Sequence, residues 1–143
     1  MSNDRLEASV ALENGKLRFM GSAGSHPPIP FDYYPPLGDG QGYTGLEAFL
    51  TTLAACSGTT VLFLLRRMRK EISGFQVKAK GIRRDKPPTC FQQIFLEFVL
   101  QSKDVNDEDI QKAIKLTEES YCPVWAMIKN NVEVTTEYKI ISS

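Results

Sequence analysis

Histidine is nearly absent from this sequence: the 143 residues include one, His26, set between Ser25 and Pro27. A cysteine hydrolase needs a base beside its thiol, so a Cys-His dyad is not expected. Cysteine is scarce too. Cys56, Cys90 and Cys122 are too few and too widely spaced for a secreted disulfide framework, and no pair has the short spacing usual in zinc sites. They are expected as free thiols in a reducing compartment, unless chemistry couples two of them, and no metal or cofactor is expected. Charge excess is lacking: 17 basic side chains face 17 acidic ones, which gives no electrostatic case for nucleic acid or an anionic membrane. The segment MSNDRLEASV lacks the basic-then-apolar order of a signal peptide, and no apolar run approaches the ~20 residues that span a bilayer, so the expected location is the cytoplasm. Glycine-rich phosphate loops and nucleophile-elbow motifs are missing as well. Thiol redox chemistry survives this elimination.

What is present fits one domain over residues 1–143, a length that buries roughly 68–70% of its unfolded surface. Leu6, Ala8, Val10 and Leu12 alternate, Asn14-Gly15 follows, and Leu17 and Phe19 begin a second short strand, which predicts an N-terminal hairpin. The next stretch, GSAGSHPPIPFDYYPPLGDGQG, holds five of the eight prolines and admits at most a short edge strand around Ile29 to Tyr34. Its length marks a functional segment or an arm that reaches a partner. From Thr44, with Glu47 three residues on, the pattern is helical as far as the basic run Arg66, Arg67, Arg69, Lys70. That helix, about 26 residues and roughly 40 Å long, carries apolar and small residues nearly all round. One chain has little material to cover it, so a dimer with two such helices in a shared core is expected.

Past Gly74 two alternating strands flank the turn RRDKPPT, the second carrying Ile94, Leu96, Phe98 and Leu100. Asn106, followed by Asp107, Glu108 and Asp109, caps a helix to about Ser120. Tyr121-Cys122-Pro123 breaks it, a short helix follows over Val124 to Lys129, and Val132 to Ile140 closes the chain as a strand. The fold class is α+β, in the order ββ(β)αββααβ.

Cys56 lies among Leu53, Ala54, Ala55, Ser57 and Gly58, small neighbours that leave room for a substrate or a second side chain. A free cysteine is equally at home as a small packing residue, and the local sequence leaves both readings open. Cys122, before Pro123 at a helix start, either caps a connector or meets unpaired amides that favour a thiolate. Cys90 reads as structural. Glu47 is either the capping residue or an acid of the site; nine residues at 100° each total 900°, so it points away from Cys56 across one straight helix. If both serve one chemistry, the acid meets the other subunit's thiol or the helix bends.

The block TGLEAFLTTLAACSGTTVLFLLRRM resembles the core helix of the OsmC-like family, which includes the organic hydroperoxide resistance proteins. PPTCFQQIFLEFVL is similar to the strand that follows, and EESYCPVWAMI to the family's second cysteine motif. Together these cover residues 44 to 141 in the family's order. The resemblance implies an intertwined homodimer, a long central helix wrapped by antiparallel sheet, with sites at the interface. It also implies that Cys56 attacks the peroxide bond of an organic hydroperoxide, that Cys122 condenses with the resulting sulfenic acid, that Glu47 belongs to the site, and that an external dithiol resets the disulfide. Phe49, Leu53, Trp125 and Met127 are the expected pocket lining. Before the helix stand only Arg5 and Arg18, and Gly45 replaces a usual proline, a pattern similar to a less characterised branch that keeps both cysteines. The competing expectation is a non-catalytic protein that binds a hydrophobic ligand, or senses redox state, with the same pocket.

Overall fold

The computed structural model describes residues 4–142. The chain divides into two compact units, residues 1–49 and 50–143. In the first, β1 (Ser9–Leu12), β2 (Phe19–Ser22) and β3 (Ile29–Phe31) form an antiparallel sheet in chain order. The hairpin between β1 and β2 is set by Asn14, whose Oδ1 accepts from the backbone N–H of Lys16 at 3.0 Å and of Arg18 at 3.1 Å. Such Asx turns let a side chain take over backbone pairing where the chain reverses.

The proline-rich stretch that follows β3 is organised by one buried carboxylate. Asp32 accepts backbone N–H groups from Tyr33 at 2.8 Å, Gln41 at 3.0 Å and Asp39 at 3.4 Å. The Gln41 amide is the main reason the Asp32 carboxyl is held below the usual carboxylate range, against the opposing effect of burial; the Tyr33 and Asp39 amides and the Arg18 charge add to it. Gly38 is obligatory here, since a Cβ on it would lie 2.5 Å from Asp32 Oδ1 and 2.4 Å from the Tyr33 carbonyl oxygen. The loop therefore closes on itself, and β3 ends at Phe31, three residues short of the expected limit.

Helix α1 (Gly45–Arg67) opens with the expected capping box: the Thr44 N–H donates to Glu47 Oε1 at 2.9 Å, and the Glu47 N–H to Thr44 Oγ1 at 3.2 Å. It stops three residues before Lys70. Arg69 adopts a positive φ of 63°, with Arg69 N–H bonded to Arg66 O at 2.9 Å and Lys70 N–H to Leu65 O at 3.1 Å, the paired bonds of a Schellman close. In the single chain α1 is buried along one stripe, Leu53, Ser57, Gly58, Val61, Leu64 and Leu65, rather than on several sides. Thr52, Ala55, Thr59 and Phe63 are exposed. By length and composition alone α1 is apolar enough to cross a bilayer, contrary to the run-length expectation, although the core helix of a soluble protein passes the same test.

In the second unit β4 (Gly74–Arg83), β5 (Phe91–Gln101) and β6 (Glu133–Ile141) form one sheet in that order. Ile94, Leu96, Phe98 and Leu100 line its buried face, as their alternation predicts. β4 and β5 are antiparallel, but β6 runs parallel to β5, with Leu96 opposite Thr136. A helical excursion between β5 and β6 returns the chain to the end where β5 began, which is the crossover that parallel pairing requires. That excursion begins with α2 (Asp107–Leu116), capped reciprocally by Asn106 and Asp109 at 2.9 and 3.0 Å. The expected continuation to Ser120 is not α-helical: residues Thr117–Tyr121 form a π turn, closed by the Cys122 N–H on the Thr117 carbonyl at 3.0 Å. Helix α3 (Pro123–Ile128) follows, with proline at its first position.

Helix α1 approaches the sheet closely at Gly58, where an added Cβ would sit 2.9 Å from Val77 Cγ2 and 3.4 Å from Phe75 Cε2. Val77 is β-branched and cannot swing aside. Overpacking of about 1–3 kcal/mol outweighs the ~1 kcal/mol that alanine gains in helix propensity, so Gly58→Ala is expected to lower the unfolding free energy by a net ~1 kcal/mol, read as a lower urea midpoint. Gly45→Ala, whose methyl meets nothing within 4 Å, is expected to be neutral or slightly stabilising in the same titration.

Candidate redox site

Cys56 lies near the middle of α1, half-buried, in a stretch whose hydroxyls are occupied within the helix. Ser57 Oγ donates to Leu53 O at 2.7 Å, Thr59 Oγ1 to Ala55 O at 2.7 Å and Thr60 Oγ1 to the Cys56 carbonyl at 3.1 Å. Such back-bonding satisfies polar side chains inside a helix and removes them as bases for the thiol. Cys122 is the N-cap of α3, only 2% exposed, and its sulfur accepts the backbone N–H of Trp125 at 3.4 Å. The π turn before it and Pro123 after it fix where that sulfur points. It points at Cys56: the two Sγ atoms are 3.2 Å apart, with the Cys122 S–H donating to Cys56 Sγ. Both are free thiols, and a disulfide needs a separation of ~2.0 Å, so about 1 Å of closure would join them.

Burial pushes the Cys122 thiol up from its ordinary 9.0 to about 11. The Trp125 and Val124 amides pull the other way, and the neighbouring Cys56 adds to the rise. At neutral pH Cys122 therefore holds its proton and serves as donor. The arrangement is asymmetric: a half-buried sulfur receives a hydrogen bond from a buried, protonated one.

The remaining expected residues take different places. Glu47 lies in the first unit, where Oε1 accepts from Thr44 and Oε2 from the Tyr34 hydroxyl at 3.0 Å. The Thr44 amide first, then the Tyr34 and Thr44 hydroxyls, hold its carboxyl below the usual range. Leu53 and Trp125 are fully buried, whereas Met127 is 76% exposed. Phe49 is half-buried at the end of the first unit. Cys90 is exposed, beyond the turn that Arg83 ties to Thr89. His26 borders a cavity of about 490 Å³ in the first unit, with Val10, Ile29 and Phe31 among its walls. Arg5 pairs with Glu7 on the surface at 3.4 Å. Among the described residues no three His, Cys, Asp or Glu side chains gather as metal ligands.

Sequence reasoning missed the Tyr34 hydroxyl on Glu47; it offered Cys122 as a helix cap, and the Trp125 amide on its sulfur is that cap. The first depends on how Asp32 folds its loop, for which periodicity carries no signal. The second follows from proline after cysteine at a helix start, a signal that was legible as a cap.

Residues 38–137 match the family model described as OsmC-like protein. Protein YhfA of Escherichia coli strain K12 is 28% identical over 138 residues, covering 96% of this chain and all of that protein. A hypothetical protein from Aquifex aeolicus VF5 superposes with a TM-score of 0.86 at 25% identity over 98% of each chain. The organic hydroperoxide resistance protein OhrB of Bacillus subtilis superposes with a TM-score of 0.64 at 17% identity, covering 96% of this chain and all of that one, a likeness of fold.

The raised Cys122 thiol links stability to pH. The folded state holds that proton more tightly than the unfolded chain, so its contribution is complete below pH 9 and is lost as pH rises through about 11. Urea midpoints of the reduced protein are expected to fall across that window, and to fall less in Cys122→Ser; parallel pH dependence in the two proteins would remove Cys122 as the cause.

Proposed function

The chain belongs to the OsmC-like protein family, and from that membership we propose that it is a cysteine-based thiol peroxidase that reduces organic hydroperoxides. The observation that carries the reading is the 3.2 Å contact between Cys122 and Cys56. In the proposed reaction the Cys56 thiolate attacks the terminal peroxide oxygen. The O–O bond breaks, the alkoxide takes a proton and leaves as an alcohol, and Cys56 becomes a sulfenic acid. Cys122, already in contact, displaces hydroxide from that sulfur, giving the disulfide and water. An external dithiol then returns two electrons and two protons. The Cys122 S–H faces the sulfur on which negative charge sits before attack, a role that elsewhere falls to a cation.

Leu53, one turn before Cys56, and Trp125, one turn after Cys122, make the surroundings apolar and favour a hydroperoxide with a hydrocarbon group over hydrogen peroxide. Phe49 and Met127 are assigned to the outer lining. The family match spans both units and supports treating the chain as one domain. It works as a homodimer: exposed Ala55 and Phe63 on α1 in one unit, and separately exposed Leu6, Val10 and Leu12 around β1 in the other, are apolar side chains that a second copy would cover. The helical spacing turns Glu47 away from Cys56, so the acid serves the other protomer's site while capping its own helix. Free thiols suit a reducing cytoplasm, and a balanced charge leaves no role for nucleic acid or membrane.

A second reading is a non-catalytic protein that binds a hydrophobic ligand or senses redox state; the observation on its side is the apolar cavity beside His26 in the first unit, a different place from the pocket expected around Cys56. It predicts that Cys56→Ser keeps ligand binding and that no dithiol supports turnover. The peroxidase reading predicts that one equivalent of cumene hydroperoxide converts Cys56 and Cys122 to a mass-mapped disulfide. Cys56→Ser should abolish peroxide consumption, and Cys122→Ser should stop after one turnover with a sulfenic acid on Cys56. Two cysteines still reduced after the peroxide would sink the mechanism.

A further inference from the structure

We propose that the external dithiol resets the site by attacking Cys56 rather than Cys122, so that the mixed disulfide sits on Cys56 and Cys122 is the leaving sulfur. This rests on the peroxidase reading above for its place in a cycle, but the chemistry concerns the disulfide however it is made.

Thiol–disulfide exchange proceeds in line, the incoming sulfur approaching along the extension of the bond that breaks, and access decides which sulfur is attacked. An approach to Cys122 from the side opposite Cys56 is closed. That sulfur is 2% exposed, with the Trp125 backbone N–H at 3.4 Å and the first turn of α3 built against it. Cys56 is half-buried and lies among small residues, Ala54, Ala55, Ser57 and Gly58. The same helix that presents Cys56 to a peroxide therefore presents it to a thiol.

The bonds balance as follows. One thiolate of the dithiol bonds to Cys56 Sγ, the Cys56–Cys122 bond breaks, and Cys122 departs with the electron pair. The Trp125 and Val124 amides face that charge, and Cys122 then takes a proton from solvent. The second thiol of the reductant, deprotonated, attacks its own half of the mixed disulfide, releasing Cys56 as thiolate and the reductant as a cyclic disulfide. Two electrons pass from dithiol to protein. A thiol of high pKa is a poor leaving group, which slows the first step. The same property slows the reverse step: the released Cys122, its pKa pushed up by burial, regains its proton at pH 7, and the second thiol of the reductant competes with it for the mixed disulfide. Cys56 thus reacts twice per cycle, and Cys122 acts as a buried trap and releasing group that no external reagent touches.

The test uses the Cys90→Ser protein, so that the exposed third thiol takes no label, oxidised with diamide to form the disulfide without peroxide. It is mixed with 2-mercaptoethanol, quenched in acid over a time course, alkylated and mapped by mass spectrometry. The expected early product carries mercaptoethanol on Cys56 and the alkyl label on Cys122, by roughly tenfold or more over the reverse, as the difference in access requires. Adduct mainly on Cys122, equal amounts on the two, or a disulfide inert to the thiol would each overturn the proposal. Should cumene hydroperoxide fail to form the disulfide while the diamide-made disulfide still yields the Cys56 adduct, the peroxidase reading falls and this inference stands.

Discussion

Everything proposed for this chain depends on holding two sulfur atoms 3.2 Å apart from positions separated by 66 residues. Each is carried by a different device. Cys56 rides on a long helix whose phase is set at one end by the Thr44–Glu47 box and along its length by the stripe from Leu53 to Leu65 that lies on the sheet. Cys122 sits at a break, where a widened turn on one side and a proline on the other leave the residue extended, with φ −82° and ψ 110°. An α-helix continued through residues 117–121 would deliver the next residue about 100° away round the axis for each position gained or lost. The π turn is thus part of the aim of Cys122, in keeping with the frequency of such turns at functional sites.

The pair is also unequal, and the inequality comes from packing rather than from a charged neighbour. Trp125, Phe98, Leu96 and Ile94 are among the most buried side chains, and Cys122 is buried with them. Removing a sulfur from water disfavours its anion. One thiol of the contact is thereby kept as a donor and the other left as an acceptor, without a histidine.

Much of the fold was legible because it rests on local rules. The alternation over Ile94 to Leu100, the Asn106 cap with its acidic first turn, and the Thr44–Glu47 spacing each name an element from a few residues. Strand direction was not legible in β6, since side chains alternate identically in parallel and antiparallel pairing. Nor was the π turn: Ile110, Ala113, Ile114 and Thr117 keep a helical rhythm up to the point where the turn widens. At the site, the chemistry of Cys122-Pro123 was readable as a cap. The contact with Cys56 had to come from tertiary structure, because no spacing rule relates residues on two separate helices.

The two arginines before α1 are engaged within the first unit. Arg18 acts on Asp32, a carboxylate already holding three backbone N–H groups, and Arg5 pairs with Glu7 at the surface. Glu47 instead receives the Tyr34 hydroxyl, a neutral donor. The donor that the second unit supplies to the Cys56 sulfur is the Cys122 S–H, likewise neutral. A sulfur that receives a neutral donor relies on that hydrogen bond to hold charge, so the proposed chemistry is more sensitive to the exact placement of Cys122 than chemistry anchored by an ion. That sensitivity explains why a buried cap, a proline and a π turn converge on a single side chain.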